Sequence, residues 1–531
     1  MTDARMHDPR APKSLHTSHD LAFLAHRAER VNPVAGGDPD RTRRVLTREE
    51  AIALAEAALR MVSVPVVNIM VTHRAAAVAK IVNTHHLRCT DLDELLLEFQ
   101  TRVGRSLRVS VGTNVRDADT LRHVIRNAET CKTPVMRPED QEPSDPDDPS
   151  VRWMMPKPYP PVTLWHESTA RAIETARGET LAQMMANMHT LQDAARDETS
   201  ASTPLTMAGT VGISERARLC HYAGGMRAWG EATDGEMTAS VRTLDGKASG
   251  WSGQAHRDWD QLQPDRVVRE AVTMANRMRG AVRLEPGRYT AVLGPAAVGQ
   301  LVRLMYPLFN VLANRGSVSP FGVANAPNGA QLRLGQRVFD ERISMWSDPD
   351  DPMGGYFPFF PDGWPSHKAL WIEHGVLRNL AYDESEALRT GRTPALQPAS
   401  VHVTGGTTTI EEMIARCDRG VYVHRFGSVT VANGESGALI GTTRDGCFLI
   451  KDGKIAHPIT NFRFFESPFL LFNRILAVGV SERVAFGFLQ PKLITSVTDT
   501  EDAEGIWPNL PIIVPPLMVR DFNFSSLSDA V

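Results

Sequence analysis

His256 and Asp258 stand two residues apart in "HRDWD" (256–260), an imidazole beside a carboxylate, the pairing that general acid–base catalysis uses. Tyr356, His367 and His424 add three more groups able to give or take a proton, and nothing in the spacing singles one out. The same Asp258 and Asp260 also suit turn and cap roles, because they sit between a strand meander and a helix entry. "HESTA" (166–170) begins like HExxH, but its fifth residue is Ala170, so the second metal ligand is missing. His85 and His86 are adjacent and would point apart on either a helix or a strand. Gly434-Glu435-Ser436-Gly437 has the wrong spacing for a nucleophile elbow, and "VTGGTTT" (403–409) is a glycine turn without the lysine of a phosphate loop. "DPDDPMGGYFPFFPDGWP" (348–365) gathers acids, then Tyr356, Phe357, Phe359, Phe360 and Trp364. Its acids do not alternate as a calcium loop requires. It reads as a hydrophobic lid or a partner-docking patch, with a plug beneath the β-rich body as the plainer reading.

Elements that could position these groups follow from patterning. Residues 1–45 are polar and aperiodic and read as a flexible arm. An N-terminal α/β domain is expected over 46–285. Thr47 and Glu50 form a capping box ahead of "AIALAEAALRMV". "PVVNIMVTH" (65–73) reads as a buried strand, 106–131 as strand, loop and helix, and 168–196 as a long helix. Residues 206–256 read as an antiparallel meander, and 265–280 as a helix with Asp265 as its cap, Gly280 as its stop, and Val267, Ala271, Met274 and Met278 on one face. The insertion 133–161 carries nine prolines, too many for any regular element. A β-rich domain is expected over 286–531. It opens with a strand, a Gly294-Pro295 turn and an apolar helix. Hairpins follow at His374-Gly375 and at Asp452-Gly453, which suits a type I′ turn. A helix lies between them, with Thr409 and Glu412 as its capping box, then "GVYVHRFGSVTV" (420–431), and 515–526 closes the chain as a strand.

Composition bounds the rest. With 531 residues, 42% of them hydrophobic, and a net charge of −4, the chain can bury a large core in two or three domains and has no electrostatic call for nucleic acid. Cys89, Cys131, Cys220, Cys417 and Cys447 are scattered and form no CxxC, which predicts buried free thiols in a reducing compartment. No secretory signal and no membrane span are apparent, so a cytoplasmic location is expected.

The order of the pieces resembles the TldD/PmbA (TldD/TldE) family, the "modulator of DNA gyrase" metallopeptidases. The resemblance rests on "LRVSVGTNVRDADTLRHVIRNAE", on "DRVVREAVTMANRM" leading into "LEPGRYTAVLGPAAVGQLV", and on "PDGWPSHKALWIEHGVLRNLAYDESEALRTGR". It continues through "IEEMIARCDRGVYVHRFGSVTVANGESG", "CFLIKDGKIAHPITNFRF" and "VPPLMVRDFNFSS". It implies an α+β protein: an N-terminal α/β domain, then a large barrel-like β-rich domain, two subunits pairing around a chamber. In the metallo-subunit, an HExxxH helix follows the "LGP" turn and a cysteine further on completes a zinc site. Zinc there would lower the pKa of a bound water toward about 7.

In this chain Arg303, Leu304 and Leu308 stand where that register expects His, Glu and His, and no cysteine follows Cys447. No metal and no cofactor are therefore expected in this chain. The resemblance implies the TldE/PmbA-type subunit. That role calls for a TldD-like metallo-subunit as zinc-bearing heterodimer partner (or a homodimer), a peptide substrate, and Arg303 and Tyr306 as substrate-facing residues at the altered site. The alternative is a metal-independent enzyme on the same scaffold, tailoring a peptide or small metabolite.

Overall fold

The computed structural model describes residues 43–528, except 64–65, 83–85, 104–105, 114, 116, 131–163, 199–203, 223–225, 311–318, 324–330, 361–364, 383–394, 397–399 and 487–510. The proline-rich insertion, almost all of the expected arm, His85, Cys131 and Trp364 thus lie outside the described residues.

Long strands build the first half. Helix α1 (Arg48–Met61) starts at Thr47, whose side chain accepts the Glu50 N–H while the Glu50 carboxylate takes that of Thr47. Strands β1 (Val66–Val82), β2 (His86–Val103) and β3 (Ser106–Thr113) precede helices α2 (Ala118–Thr130) and α3 (Glu167–Glu198). Strands β4 (Leu205–Tyr222), β5 (Arg227–Thr243) and β6 (Ser249–His256) lead to α4 (Pro264–Arg277). The six strands form one sheet in the order β3-β2-β1-β4-β5-β6, every pairing antiparallel. The meander and the helices match their sequence patterns, save that α4 has Gln263 and not Asp265 at its cap. Gly280, with φ +72°, does end that helix region.

The sequence pattern gives no assignment for β2 and ends β1 at residue 73. Both strands carry Ala-, Leu- and Glu-rich stretches that favour helix locally; cross-strand pairing along their whole length decides against it.

One face of this sheet is dry. Val71, Leu95 and Leu97 pack under α1; Met237, Ala239 and Val241 pack with Leu181, Met184 and Met188 of α3 and Val267 and Ala271 of α4. The alternate residues on the other face include Thr72, Arg74, Arg218, Asp234 and Glu236, all buried, with Arg216 half-buried. On the dry side, burial pushes the Glu215 carboxyl up to about 7, against the pull of the Arg44 and Val45 N–H groups.

The second half holds two sheets. Strands β7 (Gly287–Leu293), β14 (Arg419–Phe426), β16 (Ala438–Lys451), β18 (Phe462–Glu466) and β22 (Leu517–Leu527) pair in a closed circle, β7-β14-β16-β18-β22 and back to β7: a five-stranded barrel. Its inside is aromatic, with Phe426, Phe462, Phe464, Phe522 and Phe524 sealed from solvent. Each buried ring contributes roughly 1.5–3 kcal/mol of transfer free energy. Strands β15 (Thr430–Asn433), β17 (Lys454–Pro458) and β19 (Ile475–Val478) flank it, as do helices α6 (Ile410–Ala415) and α7 (Pro468–Leu471). Between the barrel and the next sheet lies α5 (Pro295–Met305), against β14 and β21.

That next sheet has the order β12-β11-β10-β13-β21-β20. Its strands are β10 (Met345–Ser347), β11 (Ala369–Glu373), β12 (Val376–Leu377), β13 (Val401–Val403), β20 (Glu482–Arg483) and β21 (Ile512–Val514); a small ribbon of β8 (Gly322–Val323) and β9 (Gln331–Leu332) stands apart. His374-Gly375 and Asp452-Gly453 turn as expected, all four residues at positive φ. The architecture is thus α+β, a helix-covered sheet followed by a β-rich, barrel-containing body. Among the described residues no helix is long and apolar enough to cross a membrane.

Candidate functional site

Helix α5 ends where sequence register would place a metal: Arg303 and Leu304 lie in its last turn, and Leu308 in the 3₁₀ turn that follows. Gly294 donates its N–H to Val423 O at 2.8 Å, and a Cβ on Gly294 would lie 2.8 Å from His424 O, so the turn fits against β14 only as glycine. Ala297, Val298, Leu301, Val302 and Met305 face the core. Arg303 lies half-buried with its guanidinium 5.2 Å from the centre of the Phe486 ring, a cation–π contact. Phe486 comes just before the segment to which the resemblance assigns the metal cysteine. Tyr306 was expected to face substrate and is instead turned inward: it is 3% exposed, and its hydroxyl meets Ser347 Oγ at 3.0 Å. Zinc needs nitrogen, sulfur or carboxylate donors, and this helix presents an arginine and leucines in their places. Among the described residues no three His, Cys, Asp or Glu side chains gather as a metal site. The residues of this helix do not fit zinc.

Ser347 is a hub. It accepts from Trp371 Nε1 at 2.9 Å, meets Tyr306, and donates to Ser400 O at 2.5 Å. All of this is core-side polarity, satisfied internally.

The sequence candidates for proton transfer are spread out. His256 Nδ1 accepts the Asp258 N–H at 3.0 Å, and burial lowers the His256 pKa. Asp258 takes Ser168 Oγ at 2.5 Å and caps the 3₁₀ turn at Trp259–Gln261, the cap role that its position allowed. Hydrogen bonds from Ser168 and the Asp260 N–H hold its carboxyl below the usual range. His424 has both nitrogens occupied: Nε2 donates to Trp251 O at 2.9 Å and Nδ1 meets Tyr422 Oη at 3.2 Å. Its burial favours the neutral ring. Tyr356 is buried and donates to His367 O at 3.0 Å; burial drives its phenol pKa far up. His367 itself is exposed.

The described aromatics of this loop are buried and form no open lid, and Phe357 and Phe359 pack on the N-terminal sheet, not beneath the β-rich body. Tyr356, Phe357, Phe359 and Phe360 are all at most 8% exposed. Phe357 is seated on Gly230, where a Cβ would approach its ring to 2.6 Å, and the Arg216 and Arg218 guanidinium groups lie 4.6 and 5.3 Å from its centre. Cys220, Cys417 and Cys447 are buried thiols, but Cys89 is exposed.

One pair escaped the sequence reading. His402 Nδ1 lies 2.6 Å from Asp351 Oδ2, and the imidazole stacks on Trp346 with ring centres 4.4 Å apart. Burial would raise the Asp351 carboxyl. The bond from His402 and the N–H groups of Met353 (2.8 Å) and Gly354 (3.2 Å) outweigh that and hold it low. The available signal was the alternation Val401-His402-Val403, which sets His402 on the opposite face from two core valines. Asp351 could not be matched to it, being 51 residues away.

Comparison with known proteins adds a lineage. Residues 286–526 match the family model described as the PmbA/TldA metallopeptidase C-terminal domain. A "Metalloprotease" of Archaeoglobus fulgidus is 26% identical over 142 residues, which is 24% of this chain and 32% of that protein. A "Metalloprotease TldD homolog" of Buchnera aphidicola is 25% identical over 162 residues, 28% of this chain and 33% of that one. The matches span about a third of the length of these curated relatives. Among solved structures, TldE from Thermococcus kodakarensis superposes with a TM-score of 0.66 at 16% identity, covering 88% of this chain and 98% of that one. A protein described as a modulator of a DNA gyrase, from Thermotoga maritima, gives 0.63 at 16%, covering 86% and 95%. At that identity the likeness establishes the fold.

Proposed function

The chain belongs to the TldD/PmbA family, and we propose that within it this protein is the metal-deficient subunit of a two-subunit, peptide-cleaving protease. The observation that carries this reading is the occupancy of the α5 turn region: Arg303 stacked on Phe486 and Tyr306 buried on Ser347, where a metallopeptidase needs donors and an open coordination place. Such a chain supplies walls and edges to a shared chamber, and a TldD-like partner supplies the zinc and the activated water. An extended peptide is held by strand addition at sheet edges. The reaction takes place in the cytoplasm.

The test is co-expression with a TldD-like chain, followed by purification through a tag on this chain alone. The expected result is a stoichiometric complex that cleaves unfolded peptides, with zinc near one equivalent per pair and none in this chain purified singly. Full peptidase activity and stoichiometric zinc in the isolated chain would sink the proposal.

A further inference from the structure

Outside the α5 region, the sheet β12-β11-β10-β13-β21-β20 carries a row of side chains facing away from the main core. Cross-strand pairing aligns Leu370, Trp346, His402, Ile513 and Arg483 on that face. Adjacent strands lie about 4.8 Å apart, so Arg483 is roughly 10 Å from His402 along the row. Arg483 reaches across to Asp234 of β5, Nη2 to Oδ2 at 2.6 Å. Arg257 donates to Gly355 O, and the Gly355 N–H donates to Asp351 O at 2.7 Å. The row therefore borders the polar face of the N-terminal sheet.

We propose that Asp351 and His402 form a metal-independent acid–base centre, in which His402 Nε2 takes a proton from a hydroxyl group or a water bound at the open edge of the ring. The geometry assigns the roles. Asp351 holds Nδ1–H, which fixes the tautomer and leaves the basic lone pair on Nε2. Among the described residues none takes Nε2, and the His402 side chain keeps 17% of its surface exposed while that of Asp351 keeps 9%. Trp346 covers one ring face and stops the imidazole from turning. In the transfer, the O–H bond breaks and its electron pair stays on oxygen. The new bond forms at Nε2, and the imidazolium is stabilised by the adjacent carboxylate. Asp351 acts through His402 and is a positioning residue.

A clamp holding the 348–355 loop would be the plainer role, yet the loop is already anchored without the histidine. Asp351 N donates to Asp348 O at 3.1 Å, Asp348 pairs with Lys368 at 2.8 Å, Arg257 holds Gly355, and Gly354 is packed so tightly on Ile513 that a Cβ would lie 2.5 Å from its Cδ1. This inference does not depend on the subunit role above. It assigns the chain chemistry of its own, whether or not a partner brings zinc.

The experiment is site-resolved carbethoxylation of the full-length chain with diethyl pyrocarbonate, read by peptide mass spectrometry at neutral pH. The Nε2 lone pair attacks the reagent's carbonyl carbon, and ethyl carbonate leaves. Exposed His367 in the same molecule is the internal reference. His402, although less exposed, is expected to react severalfold faster than His367. Asp351→Asn should slow His402 by about tenfold, with His367 unchanged and with rescue by Asp351→Glu. A His402 rate at or below that of His367 in the unmodified protein would overturn the proposal without reference to any variant. In folded Asp351→Asn, an unchanged rate would do the same.

Discussion

Trp346 and Ser347 are neighbours in the chain and lie on opposite faces of β10, and the two faces differ in kind. On the Ser347 side, Tyr306, Trp371 and Ser400 close a hydrogen-bonded network inside an aromatic core, and α5 lies behind it with apolar side chains. On the Trp346 side, a carboxylate, an imidazole and an indole stack at the border of a polar sheet face. The face turned toward α5 is closed and structural. The other face has the ordered, partly open polar groups that chemistry requires. A polar group that is fully satisfied and buried stabilises a fold; one that is oriented and left a free lone pair can react.

Substitutions can break or sharpen this contrast. The largest effect is expected for Trp371→Ala on the core face. It removes a fully buried indole and should cost about 3–5 kcal/mol, read as a fall in the urea midpoint. Ser347→Ala should cost about 1–3 kcal/mol, because the Trp371 N–H loses its acceptor in a dry place. That loss should be equal at pH 7 and pH 4, since nothing in the network is charged. Asp351→Asn on the other face should cost about 1–2 kcal/mol at pH 7, discounted for the residual exposure of His402. Here the sign with pH is fixed. The folded carboxyl titrates below its ordinary 3.8, so its contribution is present above that pH and fades as acid brings it through the lower folded value. The variant and the parent should therefore converge in chemical denaturation as the pH is taken down through that lowered value. If Ser347→Ala proves the acid-sensitive change and Asp351→Asn the flat one, the contrast is drawn the wrong way round. The smallest effect is Arg303→Ala, which gives up one cation–π contact worth about 0.5–1 kcal/mol in thermal unfolding.

Local chemistry made much of this legible in advance. Both capping boxes, both positive-φ hairpin turns, the meander and the long helix follow from residues within a few places of one another. The missing ligands on α5 were readable for the same reason. Strand β2 was not, because its leucines and glutamates state a helical preference that only pairing with β1 and β3 overrides. Nor was the fate of Tyr306, since register places a residue along a helix but not the serine from a distant strand that captures its hydroxyl. The loop aromatics looked like a lid because their receptor, an absent side chain at Gly230, sits more than a hundred residues upstream. Asp351 and His402 come from a loop and a strand that only the sheet brings together.

Gly294 carries one further consequence. Its backbone docks the first turn of α5 on β14, through the bond to Val423 O and the close approach of His424 O. The station of that first turn is thus set in part by atoms that every amino acid shares, while the core-facing side chains that follow hold the rest of the helix. An anchor made of main-chain atoms fixes outline and not chemistry, so resemblance in outline carries no guarantee of shared reactivity.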